Sequence, residues 1–99
     1  MNINLVLKAL ANEKRLKILG WLKEPGKHFS SSHCDVIADG VCVGLIEKKS
    51  GLSQSTVSQY LSQLQQAGLI SMERRGQWTY CKLNQTLIDE FLAVLKTVL

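Results

Sequence analysis

The strongest constraint in this sequence is the run SGLSQSTVSQYLSQLQQAG, residues 50–68. Ser50-Gly51 stops a short helix expected over 41–49, because glycine tolerates the left-handed conformation in which helices end. Val41, Leu45 and Ile46 are that helix's inward candidates. Ser53 is placed to cap a second helix over 54–67, and Gly68 closes it. Within it Val57, Leu61 and Leu64 recur at i, i+4 and i+7 and form one buried stripe. A helix, a tight turn containing glycine and a second helix is the helix-turn-helix arrangement. The rest of the chain must supply the packing that covers that stripe.

Upstream, Leu5, Val6 and Leu10, then Leu16, Leu19 and Leu22, keep helical spacing. They predict two helices, roughly 3–11 and 13–23, meeting near Ala11-Asn12. Asn12 serves as N-cap, Glu13 suits the first turn, and Pro25-Gly26 stops the second helix. Residues 24–40 have turn chemistry without a sustained period and read as a long loop carrying both histidines and Cys34. Downstream, residues 69–72 and 78–83 are β-prone runs around Glu73-Arg74-Arg75-Gly76-Gln77, a hairpin or wing. From Gln85, a last helix lines up Leu87, Ile88, Phe91, Leu92, Leu95 and Val98. So apolar a face in so short a chain calls for cover, and a symmetry-related copy is the expected source. The expectation is therefore a mainly α fold with a small β-hairpin: a winged helix-turn-helix of about five helices and a two-stranded wing. It occupies 1–99 as one domain, with the N- and C-terminal helices dimerising through Leu5, Val6 and Ile88.

Ninety-nine residues leave no room for a second domain. A formal charge of +4 is mildly basic, which favours a polyanionic partner without demanding one. No run of eighteen apolar residues or signal-peptide pattern is present, so a soluble, cytoplasmic protein is expected. Three cysteines with irregular spacing form neither a zinc-finger pair nor a disulfide framework.

The outward face of helix 54–67 is Ser55, Gln59, Ser62 and Gln66, flanked by Ser58 and Gln63, and the helix holds no acidic residue. Glutamine pairs bidentately with adenine, serine donates to phosphate or base, and a carboxylate-free face approaches phosphates without repulsion. A plain solvated face is the competing reading, but such faces usually mix Lys and Glu. Arg74 and Arg75, with Gln77, stand at the hairpin tip within reach of a phosphate backbone or minor groove. Lys48 and Lys49 reach phosphates too, although cations at a helix C-terminus are favourable in themselves.

Three segments carry a family resemblance: ALANEKRLKIL (9–19), GLSQSTVSQYLSQLQQAGLI (51–70) and WTYCKL (78–83). Together they resemble the ArsR/SmtB-type winged-helix repressors over almost the whole chain except 24–40. The resemblance implies a homodimer built from the first and last helices, bound to an inverted-repeat operator and released by an inducer. It places Gln54, Ser55, Thr56, Ser58 and Gln59 at the major-groove end of the helix. Many members carry a Cys-Val-Cys metal box, but here the stretch is Val41-Cys42-Val43-Gly44-Leu45, with Gly44 replacing the second thiolate. The family's other metal site uses carboxylates and histidines on the last helix. Asp89 and Glu90 stand there, but no histidine follows His33.

No cofactor is therefore expected. Three readings of the thiols remain. One is a rebuilt zinc or other thiophilic metal site drawing on Cys34 and Cys42 with His28, His33, Asp35 or Asp39. Another is a Cys34–Cys42 thiol switch. The third is no cysteine chemistry, with Cys42 a small apolar residue. Cys81, on a wing strand, reads as structural. Sequence-specific binding of duplex DNA by a non-enzyme is the functional expectation. A winged-helix module that binds protein instead is the alternative.

Overall fold

The computed structural model describes all residues 1–99. Six helices and three strands follow in the order α1 (Ile3–Leu10), α2 (Glu13–Lys23), α3 (Pro25–His28), β1 (Val41–Cys42), α4 (Val43–Ser50), α5 (Gln54–Gln66), β2 (Ile70–Arg75), β3 (Trp78–Leu83) and α6 (Gln85–Val98). Four helices start on side-chain caps: Asn2 accepts from the Leu5 N–H, Asn12 from Arg15, Ser53 from Thr56 and Asn84 from Leu87, all at 3.0–3.2 Å. Each cap satisfies a backbone donor that the helix itself leaves free, a contribution of about 1 kcal/mol. No helix is long and apolar enough to cross a membrane.

Val57, Leu61 and Leu64 of α5 are fully buried, with Val6 from α1, Ile18 from α2, Ile46 from α4 and Leu69. This one cluster reaches Phe91 of α6 and Cys81 of β3. Truncating any of the leucines to alanine would cost on the order of 2–5 kcal/mol. The α5–β2 junction is equally tight. A Cβ on Gly68 would lie 2.5 Å from Leu87 Cδ1, and the Asn84 amide donates to the Gly68 carbonyl at 2.9 Å. That contact docks the start of α6 against the end of the recognition helix.

Several expectations are corrected here. The fold has a sixth helix and a third strand. Val41 and Cys42 are not the first turn of the short helix; they form β1, which pairs antiparallel with β3, Val41 opposite Cys81 and Cys42 opposite Tyr80, so the sheet order is β1-β3-β2. The cause is tertiary: β3 offers a free edge, and β-branched Val41 suits an extended, buried position. Pro25 does not simply end helical structure. It opens the one-turn α3, where its missing N–H costs nothing. The 24–40 segment is no open loop either. Phe29 and Val36 enter the core, and Asp35 closes a turn by accepting from the N–H groups of Ile37 and Ala38. Val6, expected on a dimer surface, is 0% exposed within the single chain because it packs into the cluster under α1. Leu5 beside it is 37% exposed, and Ile88 is partly buried against the core.

Residues 29–40 thus form a strap across the wing's outer face, anchored where Gly40 passes the sheet. Gly40 has φ 100°, and a Cβ there would sit 2.9 Å from the Cys81 carbonyl oxygen. Gly40→Ala should lower stability by roughly 1–3 kcal/mol from backbone strain alone, before any clash. Chemical denaturation monitored by circular dichroism measures it; an unchanged midpoint would mean that the strap is not held at this point.

Candidate nucleic-acid interface

The helix-turn-helix and the wing enclose a concavity of about 700 Å³. Gln54, Ser55 and Ser58 line one wall, and Met72, Arg74, Gln77 and Trp78 line the other. Val43, Gly44 and Glu47 of α4 close its base. Ser53 both caps α5 and donates its hydroxyl to Thr56 Oγ1 at 2.8 Å, so the first turn enters as one ordered unit. Gln59 and Ser62 are exposed on the helix's outward side. Because the buried stripe occupies the opposite side, this polar face is the only one α5 can present. Glu47, which the sequence reading did not single out, is the one carboxylate lining the concavity. Carboxylates accept from cytosine N4 and repel phosphates.

The two wing arginines do different things. In a strand, neighbouring side chains point to opposite faces, so Arg74 lines the concavity with Met72 while Arg75 turns to the strap. Arg74 bonds only to the Gly76 carbonyl, at 3.2 Å, and remains exposed. Arg75 donates to the Asp39 carboxylate at 3.3 Å and to the Asp39 carbonyl at 2.8 Å. It also lies 3.6 Å from Glu73 and stacks over Tyr80 at 4.6 Å. His33 stacks on Trp78, with ring centroids 4.5 Å apart. Of the two arginines expected at the tip, Arg75 is engaged by a residue 36 positions away, and no local pattern announces such a contact.

Gln63 is a correction. It does not stand free on the outward flank; its side-chain oxygen accepts from Arg15 Nη1 of α2 at 2.9 Å. Lys49 is held over Trp21 and Phe29, 5.3 and 5.8 Å from the ring centroids, and Lys48 beside it is exposed.

The thiol and histidine candidates for metal are not assembled. No three His, Cys, Asp or Glu side chains come together as a metal-holding group. Cys42 is buried, and Gly44, which stands in place of a second thiolate, is close enough that a Cβ there would lie 3.9 Å from the Cys42 sulfur. Burial pushes the Cys81 thiol up to about 12, which keeps it protonated and inert. Cys34, half-buried on the strap, is the most accessible of the three.

With this geometry in view, residues 41–72 match the family described as "Bacterial regulatory protein, arsR family". The HTH-type transcriptional regulator YbzH of Bacillus subtilis is 50% identical over 93% of both chains. The chain belongs to the ArsR family. It is a transcriptional regulator with a winged-helix DNA-binding domain, in a family of regulators rather than enzymes. Another relative, the transcriptional repressor SdpR of Bacillus subtilis, is 31% identical over 89% of this chain and 82% of its own. Among solved structures, the homodimeric winged helix-turn-helix DNA-binding domain Mb0332 of Mycobacterium bovis superposes with a TM-score of 0.67. It is 26% identical and covers 97% of this chain and 77% of that one. The thiophilic box associated with the ArsR family is incomplete here, and no step is derived through a metal.

Asp39 gives this interface a pH dependence. The Asp35 N–H donating to its carboxylate at 2.8 Å, then Arg75, hold its acid below the ordinary 3.8. A depressed carboxyl contributes stability above its unfolded value and loses it as pH falls through the folded value. The Asp39 contribution to strap docking should therefore be fully present above about pH 5 and be lost below 3.8, as the ordinary value marks the upper end of the loss. The fluorescence of Trp78, read in Trp21→Phe protein, should report the change. Asp39→Asn should remove that step; if the step persists in Asp39→Asn, another carboxylate holds the strap.

Proposed function

We propose that the protein is a homodimeric repressor that holds an inverted-repeat operator and leaves it when an inducer binds. In this reading residues 1–99 act as one domain, and α1 and α6 of each copy pair with those of its partner. The recognition helix α5 lies in the major groove with Gln54, Ser55, Thr56, Ser58, Gln59 and Ser62 facing the base edges. Arg74 and Gln77 meet the backbone from the wing. The observation that carries this reading is the outward face of α5. It is polar, exposed and free of carboxylate, and it shares one concavity with the unpaired guanidinium of Arg74. Groove readout by glutamine and serine, with arginine on phosphate, is the chemistry such a surface supports.

The dimer rests on exposed apolar side chains at the two ends of the chain, among them Leu5 and Leu7 of α1 and Leu92, Val94 and Val98 of α6. Leu92 is 55% exposed, a poor position for leucine unless covered. The homodimeric state of the Mb0332 domain and the repressor role of SdpR support the same reading. A protein-docking module would want an apolar recognition face, which α5 does not present.

Selection of bound duplexes from a random pool tests the reading directly. An inverted repeat should be enriched, its half-site centres about 34 Å or a multiple of it apart. Leu92→Asp should abolish the repeat and sediment as a monomer. No enrichment from an intact dimer would favour the protein-docking module, and repeating the selection with zinc or an oxidant names the inducer class. An operator-driven reporter that rises on deletion of the protein marks repression; one that falls marks activation.

The wing makes a sharper prediction. Arg74→Ala should lower the slope of log affinity against log salt by about 1, the loss of one phosphate contact, on all sequences. Arg75→Ala should leave that slope nearly unchanged. Equal losses would mean that both arginines reach the backbone and that the Asp39 contact yields to DNA.

A further inference from the structure

Arg15 is the side chain at which three helices meet. Its Nε donates to the Ala9 carbonyl at 2.7 Å and its Nη2 to the Lys8 carbonyl at 3.0 Å, both in the last turn of α1. Nη1 donates to Gln63 Oε1 of α5 at 2.9 Å, and the guanidinium lies 5.4 Å from the ring centroid of Tyr60, also on α5. Its own N–H is taken by the Asn12 cap, so the residue is fixed at both ends. Last-turn carbonyls lack intrahelical donors, and a cation there is favoured by the helix dipole. Only a planar, multi-donor guanidinium serves three acceptors in fixed directions; an ammonium does not.

We propose that the Arg15–Gln63 link sets the angle between α1 and the recognition helix, and thereby the half-site spacing that the dimer accepts. This rests on the reading above, in which α1 belongs to the dimer surface and α5 to the groove. Arg15 and Gln63 are positioning residues, touching no base. The lever is long enough to matter. Gln63 lies nine residues beyond Gln54, about 14 Å along the helix axis. A tilt of about 10° about that point moves the groove end by roughly 2 Å, from a rise of 1.5 Å per residue. Two symmetric copies double the error to roughly 4 Å, more than the ~3.4 Å between successive base pairs. A dimer without the link therefore tolerates operators of neighbouring spacing that the linked dimer rejects.

The test is a set of duplexes with one half-site sequence and spacings varied by single base pairs, bound by the full chain and its variants. Wild type should prefer one spacing by about tenfold, the scale of one mismatched base pair. Gln63→Leu should flatten that preference, with the half-site sequence and dimer mass unchanged. Arg15→Lys, which keeps the charge but not the fork, should flatten it as well. Gln63→Glu restores an acceptor and should keep the sharp spacing even if overall affinity falls. Sharp spacing in both Gln63→Leu and Arg15→Lys overturns the proposal. So does a changed base preference in Gln63→Leu at fixed spacing, which would make Gln63 a base reader. Wild type that binds no inverted repeat overturns the repressor reading itself, a result distinct from either.

Discussion

Everything in this molecule depends on which side of α5 is buried. Val57, Leu61 and Leu64 lie wholly inside, against Ile18, Ile46 and Leu69. At roughly 1.5–3 kcal/mol per fully buried side chain, that stripe outweighs any surface contact the helix makes. Rotating α5 to hide its serines and glutamines would bury unpaired polar groups, each costing about 1–3 kcal/mol. Burial therefore decides exposure: the helix presents Ser55, Gln59 and Ser62 because it cannot present anything else. The Ser53 cap and the contact of Gly68 with Leu87 then hold both ends of that helix in place.

The wing is governed by a weaker class of interaction. Ion pairs and stacking on the surface each contribute only about 0–1 kcal/mol. Yet several gather on the hairpin: Asp39 and His33 of the strap meet Arg75 of β2 and Trp78 of β3, and Arg75 lies over Tyr80 of β3. Each is small; collectively they order a hairpin that would otherwise have one bare face. Arg75 is engaged by Asp39, and Arg74 on the opposite face makes no ion pair.

The departure from the Cys-Val-Cys box fits the same picture. β1 pairing places Cys42 inside, and Gly44 leaves its sulfur without a second thiolate. The buried thiols act as small apolar residues between the sheet and the core, and the ArsR architecture persists around an incomplete metal box.

The local patterns in the sequence determined the five longer helices, the Asn12 and Ser53 caps, the wing and the polar face of α5. These are set by contacts within a few residues: i, i+4, i+7 periodicity, a serine before a helix, a glycine after it. The tertiary structure alone decided what required distant partners. Val41 and Cys42 became a strand because β3 had a free edge, and the turn-rich 24–40 segment became a strap because Phe29 and Val36 found the core. Val6 went inside rather than to a partner, Arg75 was taken by Asp39, and Gln63 was taken by Arg15, 48 residues away. Periodicity states which face of a helix is apolar. It does not state which distant donor or acceptor will occupy a polar side chain, because only the closed chain brings the two within about 3 Å.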